Sequence, residues 1–315
     1  MDKPIIGIIL PCYNEAEMLP ETSARINSLI QDLVKRSVIS EKSFATFVDD
    51  GSKDATWNII AQKTTEYTYV KGLKLSCNVG HQKALLAGLN TFMDEADALI
   101  SIDADLQDDI AVIEEMIEKF KAGSNVIYGI RKERQTDTFF KRNTALLFYT
   151  IMKKMKVNMM YNHADYRLCS RQVLTALSEF SEVNLFLRGI IPSIGFSSNT
   201  VYYDRLERTA GESKYPFSKM ASFAWNGITS FSNYPLKLVT VIGFVIFIAC
   251  LALSGYVVAS YSFGHIVPGW VSTVLPMYFL GGVQLFCLGI IGEYVGKIYL
   301  EVKNRPRYFI DKRVD

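Results

Sequence analysis

ALISIDADLQDD, residues 98–109, decides how this chain is read. An apolar run, Ala98 to Ile102, delivers Asp103, Asp105, Gln107, Asp108 and Asp109 into a short segment ahead of a helical pattern that begins at Ile110. Carboxylates this close repel one another unless a cation sits among them. Oxygen-only ligands suit a hard ion such as Mg2+ or Mn2+ rather than zinc, and a hard ion in turn suits a diphosphate. An acidic helix start is the competing reading, because Asp is favoured at N-caps and in first turns. Asp108 and Asp109 lie where such caps belong, whereas Asp103 and Asp105 come too early to cap a helix.

Working outward, four more apolar runs end in polar turns. Ile5 to Leu10 is bounded by Pro11 and followed by PCYNE, Pro11 to Glu15, and then by a helical pattern from Ala16 to Lys35. Phe44 to Val48 ends in DDGS, Asp49 to Ser52, with Asp54 opening a helix over Ala55 to Glu66. Tyr69 to Leu75 leads to NVGHQKALLAGL, Asn78 to Leu89, and Asn125 to Ile130 ends at Arg131. Runs alternating with helical patterns predict an α/β domain with a mainly parallel sheet and covered faces. Ligands of such sheets gather at the carboxyl ends of the strands, where these turns lie. Asn14, Glu15 and the DDGS turn also read as ordinary caps and turns, and His81 as a structural hydrogen bonder. No GxGxxG follows the first strand and no GxxxxGK[ST] occurs, which removes the dinucleotide and P-loop classes.

The 315 residues are 49% hydrophobic with a formal charge of +2, too small a balance to argue for nucleic acid. Met1 to Lys3 leads straight into the first strand, so no signal peptide is expected. The apolar stretches Leu238 to Phe263 and Val271 to Ile291 each reach the roughly 20 residues that span a bilayer. The loop between them, Gly264 to Trp270, lacks Lys and Arg, while Lys214, Lys219 and Lys237 precede the pair and Lys297, Lys303, Arg305, Arg307, Lys312 and Arg313 follow it. The positive-inside rule then predicts a multi-pass anchor in the cytoplasmic membrane, with both termini and the α/β domain cytoplasmic. The five cysteines show no CxxC spacing, which fits a reducing compartment and argues against a zinc site.

PCYNE, VDDGS, NVGHQKALLAGL and DADLQDD, in this order, resemble the inverting family 2 glycosyltransferases of the GT-A fold. DYRLCSR at Asp165 to Arg171, RTAGESKY at Arg208 to Tyr215 and the paired apolar segments narrow the resemblance. They are similar to the polyisoprenyl-phosphate glycosyltransferases, a group that includes the GtrB-type bactoprenol glucosyltransferases and relatives of dolichyl-phosphate mannose synthase. The resemblance covers essentially the whole chain. It implies a GT-A domain over 1–215, an amphipathic interface helix over 216–234, a two-helix transmembrane anchor over 235–300 and a cytoplasmic tail over 301–315.

By that resemblance, Pro11, Tyr13, Glu15, Asp50 and Asp103 hold the nucleotide sugar. Asp103, Asp105 and Gln107 hold Mg2+ or Mn2+ against its diphosphate, and Arg131 reaches the donor phosphates or the sugar. Asp165 lies near the reacting centre with Arg167 and Arg171 nearby, so Asp165, Asp105 and Arg131 are the expected catalytic residues. An ion pair joining strand to helix is the structural alternative for Asp165. Arg167, Arg208 and Lys214 are expected at the acceptor phosphate. The implied reaction moves one sugar, glucose from UDP-glucose, to undecaprenyl phosphate, with inversion. Other donors, namely GDP-mannose, a UDP-N-acetylhexosamine or a modified pentose, keep the same chemistry, and an inactive membrane scaffold is the non-enzymatic alternative. Relatives include tetramers, so a homo-oligomer is expected. Two departures stand out: Asp108 and Asp109 occupy positions where the family commonly has prolines, and Pro192, Ser193 and Ile194 precede Gly195 where relatives often carry an aromatic residue. The chain lacks the QxxRW of processive synthases.

Overall fold

The computed structural model describes residues 3–105, 107–132, 163–182, 187–204, 234–262 and 270–315. Two compact units separate, one carrying the sheet together with Arg305–Asp315, the other carrying the two long C-terminal helices up to Asn304.

The first unit alternates strand and helix as the periodicity predicts. β1 (Ile6–Cys12) and β2 (Phe44–Asp49) are buried along their whole length, which is why both read as unbroken apolar runs. Between them α1 (Leu19–Lys35) turns Leu19, Ile26, Ile30 and Leu33 onto one buried face, with Pro20 in its first turn and Lys35 in its last. Next come α2 (Thr56–Glu66), β3 (Val70–Leu75), α3 (His81–Phe92), β4 (Ala98–Ser101), α4 (Val112–Lys121) and β5 (Val126–Arg131). Then follow β6 (His163–Ser170), α5 (Arg171–Ser178), α6 (Leu187–Ile194) and β7 (Ser198–Tyr203). Small residues let α3 lie close on the sheet: a Cβ on Gly88 would stand 2.5 Å from Cγ2 of Ile9.

The strand order is β7-β5-β6-β4-β1-β2-β3-β8, where β8 is Ile310–Val314. The pairs β1–β2, β1–β4, β2–β3 and β5–β7 are parallel. β6 lies antiparallel between β4 and β5, and β8 runs antiparallel to β3. Two expectations change here. β1 continues through Pro11 to Cys12 rather than stopping at the proline, because its β4 pairing ends at Ile9↔Ser101 while its β2 pairing runs on to Cys12↔Asp49. Residues 301–315, expected as a tail, supply the edge strand β8, tied by Arg313 to Glu95 at 2.6 Å.

The antiparallel setting of β6 matters most for function. Ser101 pairs with Arg167, so the chain leaving β4 and the chain entering β6 meet at the same sheet edge, with Asp103 and Asp165 level. Ile130 pairs with His163, and Arg131 with Tyr203, so the ends of β5 and β7 reach that edge too.

In the second unit, α7 (Tyr234–Ser262) and α8 (Trp270–Lys303) are 29 and 34 residues long. Val241, Phe244 and Val245 on one, and Leu285, Phe286 and Val295 on the other, are exposed. Helices that are apolar all round are stable only when something apolar covers them. Among the described residues, one stretch, Phe279–Lys303, has the length and composition to cross a membrane, and Pro235–Ile246 is a shorter apolar stretch. α8 passes Ile291, the expected end of its apolar segment, and stops before Asn304, whose φ of 42° is the left-handed cap that Asn tolerates, with Pro306 beyond. Of the interface helix expected over 216–234, residues 216–233 lie outside the described residues, as do Arg208 and Lys214, and Tyr234 opens α7.

Candidate active site

Three loops at the carboxyl edge are laced together by short polar side chains. Ser52 Oγ accepts from the Asn14 amide at 2.9 Å, Thr56 Oγ1 from the Glu15 amide at 2.9 Å, and Asn14 Oδ1 from the Lys53 amide at 2.9 Å. Asp54, expected to open α2, accepts from the Thr56 amide at 3.0 Å and from the Ala16 amide at 3.3 Å. Gly51 has φ +65°, and a Cβ there would lie 2.5 Å from the Cys77 carbonyl carbon, so the turn admits glycine alone. Asp50 accepts from the Val79 amide at 2.8 Å and the Gly80 amide at 2.9 Å. It is buried with both oxygens engaged, and its carboxyl is raised by burial against the pull of those two amides. Its role is therefore to hold the start of α3 against the β2 turn. The neighbouring Asp49, which sequence reading passed over, has a buried Oδ2 with no hydrogen-bond partner among the described residues. Of the expected nucleotide residues, Pro11 lies within β1, Tyr13 is exposed, and Glu15 is half-buried.

The acidic segment is anchored from below and from the side. Thr22 Oγ1, on α1, donates to the Ala104 carbonyl at 2.9 Å, and Asp105 Oδ1 accepts from the Gln107 amide at 3.2 Å. The half-buried Asp103 carboxyl faces Nε2 of His81 at 3.6 Å. Burial raises it most, His81 pulls it back, and the charges of Asp108, Asp165 and Asp105 push it up again, to about 6. Asp109 behaves as a turn residue, its Oδ1 accepting from the Ala111 amide at 2.9 Å. Asp108 does not cap α4. It is buried and accepts from Arg131 Nη2 at 2.9 Å and from Tyr203 Oη at 2.7 Å, so it fixes the guanidinium that the sequence assigned to the donor.

Asp165 sits on the other side of His81, 3.7 Å from the same Nε2. Its main-chain oxygen accepts from Ser101 Oγ at 2.5 Å, and Arg167 donates to its Oδ1. Arg188 grips both oxygens, Nε to Oδ1 at 3.2 Å and Nη2 to Oδ2 at 3.0 Å. Burial alone would raise this carboxyl, but Arg167 and Arg188 outweigh it and hold Asp165 well below the usual carboxylate range. Arg167 itself is only 2% exposed. Arg171, expected beside the reacting centre, is at the far end of β6, bonded to the Ala96 carbonyl at 2.9 Å.

The structure thus brings together Asp103, Asp105, Gln107, Arg131, Asp165 and Arg167 from β4, β5 and β6. Sequence reading did not single out Arg188, whose signal is a lone arginine in the apolar run LFLRGII, residues 185–191, and His81, read there as a structural hydrogen bonder, faces both Asp103 and Asp165. Among the described residues no three His, Cys, Asp or Glu side chains form a ready metal cage. What exists is an oxygen-rich pair, Asp103 and Asp105, the first with its carboxyl raised by burial and by neighbouring carboxylates. That donor set fits a hard divalent cation, which is typically held by one or two carboxylates and completed by substrate phosphates.

A GT-A site on a mostly parallel sheet is the class that fold and geometry define, and residues 7–177 match the family model for glycosyl transferase family 2. The chain belongs to that family. Residues 234–298 also match the model of a GtrB C-terminal hairpin. Over 309 residues, covering 98% of this chain, it is 51% identical to the glycosyltransferase YkoT of Bacillus subtilis, of which 92% is covered. It is 40% identical, over 98% of this chain and 97% of the relative, to the SfII prophage-derived bactoprenol glucosyl transferase of Shigella flexneri. The prophage bactoprenol glucosyl transferase homolog of Escherichia coli K12 is 37% identical over 98% and 99% of the two chains. Among solved structures, glucosyl-3-phosphoglycerate synthase of Mycobacterium tuberculosis aligns with a TM-score of 0.48 at 14% identity, over 72% of this chain and 79% of that one, too distant to speak to chemistry.

Proposed function

We propose that this enzyme transfers glucose from UDP-glucose to a polyprenyl phosphate, with undecaprenyl phosphate as the acceptor, at the cytoplasmic face of the membrane. The product is a lipid-linked sugar for modifying cell-surface glycan. The observation that carries the reading is the meeting of Asp103 and Asp165 across one histidine, in a chain 40% identical over its length to a bactoprenol glucosyl transferase.

Asp103, Asp105 and Gln107 would hold a Mg2+ or Mn2+ ion. When bound, the ion neutralises charge on the departing nucleoside diphosphate. Pro11, Tyr13 and Glu15 flank the nucleoside, and Asp50 holds their loops in register. Arg131, steered by Asp108 and Tyr203, faces the diphosphate. The acceptor phosphate, with a second pKa near 6, is largely ionised at neutral pH and needs no strong base. Asp165, kept ionised by two guanidiniums, therefore orients the site rather than collecting a proton. The phosphate oxygen forms a bond to the anomeric carbon as the bond to the diphosphate breaks, and the nucleoside diphosphate leaves with the electron pair. One displacement turns an α-linked donor into a β-linked product. Arg208 and Lys214 remain proposed for the acceptor.

A multi-pass anchor, with both termini on one side, is supported by β8: the chain leaves the sheet after β7, runs through α7 and α8, and rejoins the same sheet beside β3. Such a path crosses a membrane an even number of times. The proposed divisions are a catalytic domain over 1–215 joined by the terminal strand, an interface segment over 216–234 and the anchor over 235–300, in a homo-oligomer, with a tetramer expected from its relatives. The test is a transfer assay on the purified full chain with undecaprenyl phosphate, Mg2+ or Mn2+ and a panel of nucleotide sugars, the lipid product read by mass. We expect one hexose added from UDP-glucose. A product from another donor alone would replace the sugar, and no product from folded protein would overturn the reading.

A further inference from the structure

We propose that Arg188, on α6, binds a phosphate oxyanion at the reacting centre, and that this phosphate is the acceptor's. The inference rests on the transferase reading and names the acceptor-side cation within it. Arg167, expected in that place, is 2% exposed, so no lipid phosphate reaches it. The Arg188 side chain is 31% exposed on the same carboxylate.

The guanidinium is held ready. Its Nε and Nη2 are committed to Asp165, whereas Nη1 makes no hydrogen bond or ion pair among the described residues. A guanidinium carries five N–H donors in a rigid fork, so two bonds along one edge leave another edge for a second anion. Arg167 holds the Asp165 carboxylate from within the sheet, and Ser101 holds its main-chain oxygen. α6 is itself pinned to α3, the Leu187 amide donating to Gln82 Oε1 at 3.2 Å.

Charge decides which phosphate. Arg131 is engaged by Asp108 and Tyr203 on the β5–β7 side, and the donor diphosphate has Asp103 and Asp105 with their cation. The acceptor phosphate approaches Asp165, a carboxylate that would repel it. Two guanidiniums on one carboxylate leave a net positive charge there, and only Arg188 presents it outward. The pairing of Arg188 with Asp165 thus makes an anion-binding edge out of an acidic position.

The experiment titrates the full-length protein in detergent with a short-chain isoprenyl monophosphate, the corresponding isoprenyl alcohol and UDP, for the wild type, Arg188→Met and Arg188→Lys. We expect Arg188→Met to lose roughly ten- to a hundredfold of its affinity for the monophosphate, in line with one charged hydrogen-bond partner. Affinity for the alcohol and for UDP should stay within about twofold, and Arg188→Lys should recover part of the loss, since charge returns without the fork. Retained UDP binding also shows that each variant is folded. Wild-type affinity for the monophosphate in both variants overturns the proposal, and so does a loss confined to UDP, which assigns the edge to the donor. The two readings fail separately. A wild type that binds the monophosphate through Arg188 yet transfers no sugar overturns the transferase, whereas active transfer with an unchanged acceptor KM in Arg188→Met overturns the role of Arg188.

Discussion

At the scale of single residues, the site divides its carboxylates by their neighbours. Asp165 lies between two guanidiniums and stays ionised; Asp103 lies among carboxylates, faced by His81, and its carboxyl rises to about 6. The sign of the pH effect follows. Between the ordinary Asp value of about 3.9 and that raised value, the folded chain holds a proton on Asp103 that the unfolded chain releases. This contribution to the stability of metal-free protein is therefore full below the window and lost as pH rises through it. A cation on Asp103 must displace the same proton, so its apparent affinity should weaken by roughly tenfold per pH unit as pH falls below about 6. Adding Mn2+ and UDP should raise Tm more at pH 7.5 than at pH 5, and equal shifts would exclude Asp103 from the ligand set. Asp108 and Asp109 illustrate what residue type alone conveys. Both look like caps, yet Asp109 closes a turn ahead of α4, and Asp108 becomes the anchor of Arg131 because Tyr203 arrives from a strand 95 residues away.

At the scale of elements, β6 and β8 do what the β/α alternation does not announce. Their sequences read as a motif and as a tail, since neither is an unbroken apolar run: β6 carries Asp165 and Arg167 into the interior, and β8 is a charged edge strand. Charge along an edge is the usual protection against further strand pairing. Removing residues 310–315 uncovers the β3 edge and deletes the Arg313–Glu95 and Lys71–Asp315 contacts. We expect a loss of roughly 2 kcal/mol, a fall in Tm of about 4–8 °C, with increased aggregation. Calorimetry and light scattering on the chain lacking residues 310–315, beside the intact protein, would measure both, and an unchanged Tm would show that β8 does not support the sheet. α7 and α8 behave oppositely. Their apolar composition is evident at once from sequence, and their exposed Phe244 and Phe286 form apolar surface that calls for an apolar cover.

At the scale of the molecule, the return of the chain to its own sheet constrains how it sits in a membrane. A crossing by Phe279–Lys303 obliges a second crossing before β8 can pair with β3, and Tyr234–Ser262 is the helix available among the described residues. Reporters fused at the N-terminus and at the C-terminus should therefore be protected or cleaved together when protease is added to sealed inverted vesicles. Opposite protection would mean an odd number of crossings. Such a result would also require β8 to leave the sheet.

The sequence by itself determined the class of sheet, the polar turns at its strand ends, the acidic segment and the apolar helices, because periodicity, turn chemistry and span length are properties of short windows. Gly51 and Asp54 sit where that local chemistry placed them. Only the tertiary structure decided which groups meet. Asp165 reaches Asp103 because β6 enters antiparallel beside β4; Arg167 is sealed beneath it while Arg188 faces outward; Asp50 spends its oxygens on two amides of another loop. Those outcomes depend on register and packing between segments far apart in the chain, where free energies of burial and ion pairing are settled jointly and no single window contains them.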